Sequence, residues 1–159
     1  MARLQQMRSA VQDMNIVVSA GVTKDEYSKR LTDALLKFGD RDGRCKQAVD
    51  KFPEGEQQSK AAEVCQHLSN VMDAYVYAKD YIGPTHDPDF PDVLSDELTE
   101  KEYSGAKERF PSLQELPLAE TNPAGYKFYY RREMVRALWK VADQESETAK
   151  SVIEKLGRM

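Results

Sequence analysis

Apolar residues recur at intervals of seven between Glu54 and Ile82, and this repeat restricts the possible folds more than any other feature of the sequence. The rows are formed by Ala61, Leu68, Tyr75 and Ile82, by Val64, Val71 and Ala78, and by Cys65 and Met72. On an α-helix these rows merge into one apolar stripe, because residues three and four apart share a face. Such a stripe has to be covered by other helices, so the segment predicts the central helix of a bundle.

Two further helices are predicted ahead of it, forming a hairpin with a very short turn. Apolar residues spaced alternately by three and four predict a first helix over residues 2–20, and Gly21 suits its end. Thr23 and Glu26 have the spacing of a capping box, which predicts that the second helix begins there. This helix is expected to end at Gly39, because glycine tolerates the backbone angles that commonly follow a helix.

The remaining chain is predicted to form a connector, a crossover and a last helix. Residues 40–54 are expected to contain a short helix. Residues 85–121 hold too many prolines for a long helix, but enough apolar residues to indicate an ordered crossover against the bundle, with a short helix over residues 100–109. Asn122–Pro123 has the pattern of an N-cap followed by a first helical residue, so the last helix is expected to run from there to about Leu156.

These elements predict an all-α fold: an up-and-down four-helix bundle with a long irregular crossover between the third and fourth principal helices. The length of 159 residues suits a single domain over residues 1–159. A net charge of −4 argues against a general nucleic-acid binder, which needs a basic face. No apolar run approaches the roughly 20 residues that span a bilayer, so no transmembrane segment is expected.

The two cysteines, Cys45 and Cys65, are expected to form a disulfide bond. If the short helix of the connector folds back against the central helix, the two side chains come to similar heights. A bond of this kind would indicate an oxidising compartment. The alternative is two free thiols, with Cys65 buried as a small apolar residue.

Aromatic residues crowd the end of the central helix and the predicted start of the last helix, where arginines follow. Antiparallel packing of these two helices would bring both groups to one end of the bundle, as the walls of a pocket for an anionic or planar ligand. The candidate ligand-binding residues are Tyr75, Tyr81, Tyr126, Tyr129, Tyr130 and Arg132. The alternative is that the tyrosines fill the edge of the core with their hydroxyls in water.

A metal- or cofactor-binding bundle is the alternative function. Glu63 and His67 are four residues apart and share a helix face, and residues 86–92 form an acidic loop of hard oxygen ligands. However, two ligands on one turn are incomplete, and the Glu-x-x-His motif that a di-iron bundle needs twice is absent from the sequence. A surface histidine and solvated turn residues account for both features. We therefore expect no metal, no cofactor and no catalytic residue.

Residues 20–31 and 72–78 carry a resemblance to a known group of proteins. The first contains Gly21 and Val22 and places Tyr27 at the start of a helix. The second reads Met72-Asp73-Ala74-Tyr75-Val76-Tyr77-Ala78. This pattern resembles small exported bacterial helical-bundle proteins of unknown function, over the first half of the chain. The resemblance implies export and assigns no functional residue.

The leading prediction is thus a non-enzymatic binding or protein-interaction bundle, periplasmic or otherwise exported. Its expected partner is an unidentified protein or a small anionic or planar ligand, and a homodimer is a further option. The N-terminal MARLQQMRSA lacks the apolar segment of a signal peptide, which favours a cytoplasmic structural adaptor as the alternative.

Overall fold

The computed structural model describes residues 1–21, 23–39, 41–82 and 97–159, with residues 41–44 described by their backbone alone. Across these ranges the chain is mostly helical. The helices are α1 (Ala2–Ala20), α2 (Lys24–Phe38), α3 (Arg41–Val49), α4 (Glu56–Lys79), α5 (Glu100–Arg109) and α6 (Arg131–Gly157). The strands are β1 (Glu97–Thr99), β2 (Leu118–Thr121) and β3 (Lys127–Tyr130). No helix within the described ranges is long and apolar enough to cross a membrane.

Four long helices form the body of the molecule, with α4 in contact with all the others. Helix α4 packs along α6, α1 packs along α2, and α4 also contacts α1, α2 and α3. The apolar stripe predicted on the central helix is buried, since its members Ala61, Val64, Leu68 and Val71 have no exposed surface. Helix α4 begins at Glu56 rather than Glu54, because Gly55, with a φ of 109°, precedes its first residue, and it ends at Lys79, three residues before Ile82.

The predicted hairpin of α1 and α2 is confirmed at the level of its helix bounds. Helix α2 begins after Thr23, whose hydroxyl accepts a hydrogen bond from the backbone N–H of Glu26 at 3.2 Å. The reciprocal half of the predicted capping box is replaced by an ion pair, because the Glu26 carboxylate binds Arg30 at 2.8 Å instead. A single cap bond still satisfies one of the backbone donors that the first helical turn leaves open.

Helix α3 is the short helix predicted in the connector, and a disulfide bond joins it to α4. Cys45 and Cys65 are bonded, with their Cα atoms 5.7 Å apart, a separation typical of disulfides. Ala48 is buried, and Val49 and Phe52 pack against the same core. The disulfide and this apolar contact together hold α3 against the bundle.

The start of the last helix was predicted wrongly. Asn122 begins a hairpin turn between β2 and β3, and α6 starts only at Arg131. The Asn122 side-chain oxygen accepts from the backbone N–H of Tyr126 at 2.9 Å, and the backbone N–H of Asn122 donates to the Tyr126 carbonyl at 2.9 Å. Gly125 supplies the positive φ of 87° that this turn requires. An asparagine–proline pair suits a turn as well as a helix start, and here the turn prevails.

The three strands form an antiparallel sheet that the all-α prediction did not include. Strand β3 lies in the centre, between β1 and β2. Tyr129 pairs with Leu98 on one side and with Leu118 on the other. Successive strand residues alternate between faces, so Tyr129 and Leu98 share the buried face, while Tyr130 lies on the other. Strands β1 and β2 lie in the predicted crossover, whereas β3 lies where the last helix was predicted to begin. Residues 85–96 of the crossover lie outside the described ranges.

Helix α5 follows β1 directly and has the predicted bounds. Its capping box is complete: the Thr99 hydroxyl accepts from the Glu102 backbone at 3.3 Å, and the Thr99 backbone donates to the Glu102 carboxylate at 2.9 Å. Both Tyr103 and Ala106 on its inner face are buried. The cap therefore fixes the point at which the chain turns from the sheet into α5.

Candidate functional site

A cleft of about 340 Å³ opens between α5, β3 and the segment that leads into β2. We name it the α5–β3 cleft. Its lining residues are Glu100, Tyr103, Ser104, Lys107, Glu115, Leu116, Leu118, Lys127 and Tyr129. This volume lies at the lower end of the range found for small-ligand sites, and the mixture of aromatic, apolar and charged side chains is typical of them.

One wall of the cleft is a single face of α5. Glu100, Tyr103, Ser104 and Lys107 are spaced by three, four and seven residues from the first, which places them in one row on a helix. The row runs from the first turn of α5 to its last turn. It therefore presents a carboxylate at one end, a cation at the other, and a tyrosine and a serine between them.

Two tyrosines form the floor of the cleft. The rings of Tyr103 and Tyr129 have centroids 4.6 Å apart and are tilted by 49°, a geometry that aromatic pairs commonly adopt. The Tyr103 hydroxyl accepts a hydrogen bond from the backbone N–H of Leu116 at 3.0 Å, which fastens the opposite wall to α5. Burial raises the pKa of Tyr129, and the nearby Glu100 carboxylate raises it further. The Tyr129 side chain is therefore a neutral hydroxyl group at physiological pH.

Four charged side chains surround this floor. Lys107 places its Nζ atom 5.3 Å from the centre of the Tyr103 ring. In the part of the chain that the structure describes, the ion pairs involve other residues, and none is made by Glu100, Lys107, Glu115 or Lys127. The cleft thus offers two cations and two carboxylates, and no other described residue places a counter-charge within ion-pair distance of them.

A larger groove between α1 and α2 has a different character. Its volume is about 560 Å³, but most of the charges that line it are already paired. Lys37 binds Asp13 at 2.9 Å and Arg30 binds Glu26 at 2.8 Å. Because these pairs leave fewer groups for a ligand, the smaller α5–β3 cleft is the better candidate site.

Helix α5 is anchored to α4 at its C-terminal end. Arg109 forms an ion pair with Asp73, a largely buried residue of α4, and its guanidinium lies 5.2 Å from the centre of the Phe110 ring. Phe110 in turn meets Tyr77 edge to face, at 5.4 Å between centroids. The cleft wall is therefore supported by the helical body of the molecule, and a rigid wall favours a preformed site.

Of the predicted ligand-binding residues, one lies in this cleft. Tyr129 is part of the floor, while Tyr130 and Arg132 lie outside the cleft lining and contact each other, with the guanidinium 5.1 Å from the ring centre. Tyr126 is 67% exposed in the β2–β3 turn. The structure thus brings Tyr130 and Arg132 together, and their role in binding stays a prediction.

The two predicted residues on the α4 side lie elsewhere. Tyr75 is buried in the core, where its hydroxyl donates to the Asn15 side chain. Tyr81 stacks on Tyr77, with centroids 5.6 Å apart. Within the described residues, no ring contact joins either tyrosine to Tyr129.

Several cleft residues were missed at the sequence level. The α5 row was visible in the spacing of Glu100, Tyr103, Ser104 and Lys107, since the helix itself was predicted. Lys127 gave no such signal, because it was placed inside the predicted last helix, whereas in the structure it lies in β3. The approach of the segment around Leu116 depends on one hydrogen bond to Tyr103, and local spacing does not reveal such a contact.

The predicted surface histidine has a more defined environment than expected. His67 Nδ1 lies 2.5 Å from the Glu145 carboxylate, and its Nε2 lies 4.0 Å from Glu63. Asn70 donates to the same Glu145 carboxylate at 3.4 Å. No group of three or more histidine, cysteine or acidic side chains is placed to hold a metal ion among the residues that the structure describes. The acidic loop at residues 86–92 lies outside those residues.

Comparisons with known proteins add no identification. No family model, no curated protein and no solved structure matches this chain.

Proposed function

We propose that this protein is a non-enzymatic, exported helical bundle that binds a ligand in the α5–β3 cleft. The observation that carries the proposal is the tyrosine floor with four charged side chains around it that make no ion pair with the described residues. Charged groups placed around a partly apolar concavity are typical of sites that orient a small ligand. A planar or charged small molecule and a short segment of another protein are the two kinds of ligand that such a cleft admits.

The proposal includes an up-and-down arrangement of α1, α2, α4 and α6. Antiparallel packing of α4 and α6 is supported by contacts at two heights of the bundle. At one, His67 of α4 contacts Glu145 of α6. At the other, farther along α4, the Tyr27 hydroxyl of α2 bridges the two helices, and the Tyr75 carbonyl of α4 accepts a hydrogen bond from it. The same hydroxyl accepts from Nε1 of Trp139, which precedes Glu145 in α6. A supported bundle of this kind suits a binding role, because a rigid scaffold loses little conformational entropy when a ligand binds.

Ligand binding in the cleft is tested by NMR, with separate mixtures of aromatic carboxylates, aromatic amines, amino acids and short peptides. At least one class is expected to shift the backbone amides of α5 and β3. The variant Lys107→Glu should change that affinity several-fold, because it reverses a charge at the cleft. Lys101→Glu is the matched control, since Lys101 is exposed on α5 and does not line the cleft. A screen without shifts in α5 and β3 would overturn the proposal.

Export is supported by the disulfide bond, because such bonds persist in oxidising compartments. The test is alkylation followed by mass measurement, on protein isolated from its own host, with and without prior reduction. For an exported protein, Cys45 and Cys65 should become alkylated only after reduction. Two thiols that react without reductant would remove this support and favour a cytoplasmic structural adaptor.

A further inference from the structure

The charges of the α5–β3 cleft define the chemistry of its ligand more closely. Glu100 and Lys107 lie at opposite ends of one row on α5, with Tyr103 and Ser104 between them. At a rise of 1.5 Å per residue, the two charged positions are separated by about 10 Å along the helix axis. A ligand that meets both must carry an amine and a carboxylate about that far apart.

The opposite wall makes the cleft neutral as a whole. It adds one carboxylate, Glu115, and one cation, Lys127, to the pair on α5. A ligand with a single negative charge would leave both carboxylates of the cleft without a counter-charge. A ligand with a single positive charge would leave both lysines without one. A zwitterion suits both signs, because each of its charged ends has a counter-charge available.

The length of the row and the aromatic floor then select among zwitterions. The charged groups of a free amino acid are too close together to reach both ends of the row. An extended chain spans about 3.3–3.6 Å per residue, so three residues cover about 10 Å. The tyrosine floor and the side chains of Leu116 and Leu118 suit an apolar or aromatic residue in the middle of such a peptide.

We propose that the cleft binds short peptides of about three residues with free, charged ends, the amine facing Glu100 and the carboxylate facing Lys107. This inference rests on the proposed function, since it names the ligand class of the same cleft. Ser104 and the charged groups of the opposite wall provide hydrogen-bonding partners for the peptide backbone between the two ends.

The test measures the binding of the tripeptide Ala-Phe-Ala by NMR titration and calorimetry. Removing either charge of the peptide, by N-acetylation or by C-terminal amidation, should weaken binding about two- to fivefold, as expected for loss of a partly exposed ion pair. The dipeptide Ala-Phe should bind less tightly than the tripeptide, because it cannot span the row.

Matched variants assign the two ends. The Lys107→Met variant should bind Ala-Phe-Ala and its C-terminal amide with equal affinity. The Glu100→Gln variant should bind Ala-Phe-Ala and its N-acetylated form with equal affinity. Lys101→Met should retain both differences. Thermal unfolding of each variant is measured in parallel, because Glu100 and Lys107 also lie where the α5 dipole favours their charges.

The outcomes separate this inference from the proposed function. If aromatic acids or amines shift the cleft amides but Ala-Phe-Ala does not, the cleft is a binding site and the peptide inference is wrong. Equal binding of free and blocked tripeptides would also overturn the inference. If nothing shifts those amides, the proposed function itself fails.

Discussion

The hydroxyl of Tyr27 connects three helices at one buried point. It donates to the backbone carbonyl of Tyr75 in α4 at 2.7 Å and accepts from Nε1 of Trp139 in α6 at 3.4 Å. Tyr27 itself, in α2, has no exposed surface. A buried polar group of this kind stabilises a fold only while its partners remain in place, because an unpaired one would be costly.

Removal of this hydroxyl is therefore expected to destabilise the protein. Tyr27→Phe keeps the ring and deletes two hydrogen bonds, and the free energy of unfolding should fall by about 1–3 kcal/mol. The control is Tyr126→Phe, since Tyr126 is 67% exposed and its loss should change stability by less than about 0.5 kcal/mol. Urea denaturation at neutral pH measures both, and equal effects of the two substitutions would contradict the buried bonds.

The same tyrosine gives a pH dependence. Burial raises the pKa of Tyr27 and of Tyr75 above the ordinary value of about 10. Above about pH 10 the folded protein thus keeps protons that the unfolded chain releases. The contribution of these tyrosines to the free energy of unfolding is therefore fully present below about pH 10 and is lost as the pH rises further. In Tyr27→Phe this loss should be smaller than in the wild type. The check is the urea midpoint between about pH 8 and pH 11, and parallel curves would contradict the prediction.

At the scale of elements, the long helices were predictable and the sheet was not. Helices α1, α4 and α6 repeat their apolar spacing over several turns, so the pattern is readable from the chain. Strands β1, β2 and β3 contain three or four residues each, too few for an alternating pattern to stand out. Their pairing joins residues far apart in sequence, such as Leu98 and Tyr129, and it was hidden by the resemblance of Asn122–Pro123 to a helix start.

The capping box of α5 is the local signal that links the sheet to the cleft. Thr99→Ala removes a bond to the first turn and should lower the free energy of unfolding by about 1 kcal/mol. Because Glu100 lies in that turn, hydrogen exchange of the α5 amides should also become faster relative to those of α6. Thr23→Ala, which removes the single cap bond of α2, should leave α5 exchange unchanged. If Thr99→Ala accelerated amide exchange equally in α5 and α6, the effect of the cap would not be local to α5.

At the scale of the whole molecule, the candidate site depends on contacts that no single element contains. The α5 row is a property of one helix, but the floor needs Tyr129 from the sheet and the wall needs the backbone of Leu116. Arg109 and Asp73 then join this assembly to α4. Tyr129 was predicted because aromatic residues crowd the segment before α6. Most of its neighbours in the cleft were not predicted, because packing decides which faces meet and sequence spacing shows only which residues share a face.

The disulfide bond is the long-range contact that the sequence did predict, and its contribution to stability is measurable. The bond joins residues 20 positions apart, and closing a loop of that size should stabilise the fold by about 3 kcal/mol in the chain-entropy model. The double variant Cys45→Ala/Cys65→Ala should therefore unfold at a lower urea concentration. Amide exchange should increase most in α3, which the bond fastens to α4, and least in α6.

Reductant supplies the matched control for that variant. It should destabilise the wild type by a similar amount and leave the double variant unchanged, because only the wild type has a bond to break. A difference below about 1 kcal/mol would mean that the apolar contacts of Ala48 and Phe52 alone hold α3 in place. The fold would then form equally well where thiols stay reduced. The bond would still indicate the compartment in which it formed, but folding would not require that compartment.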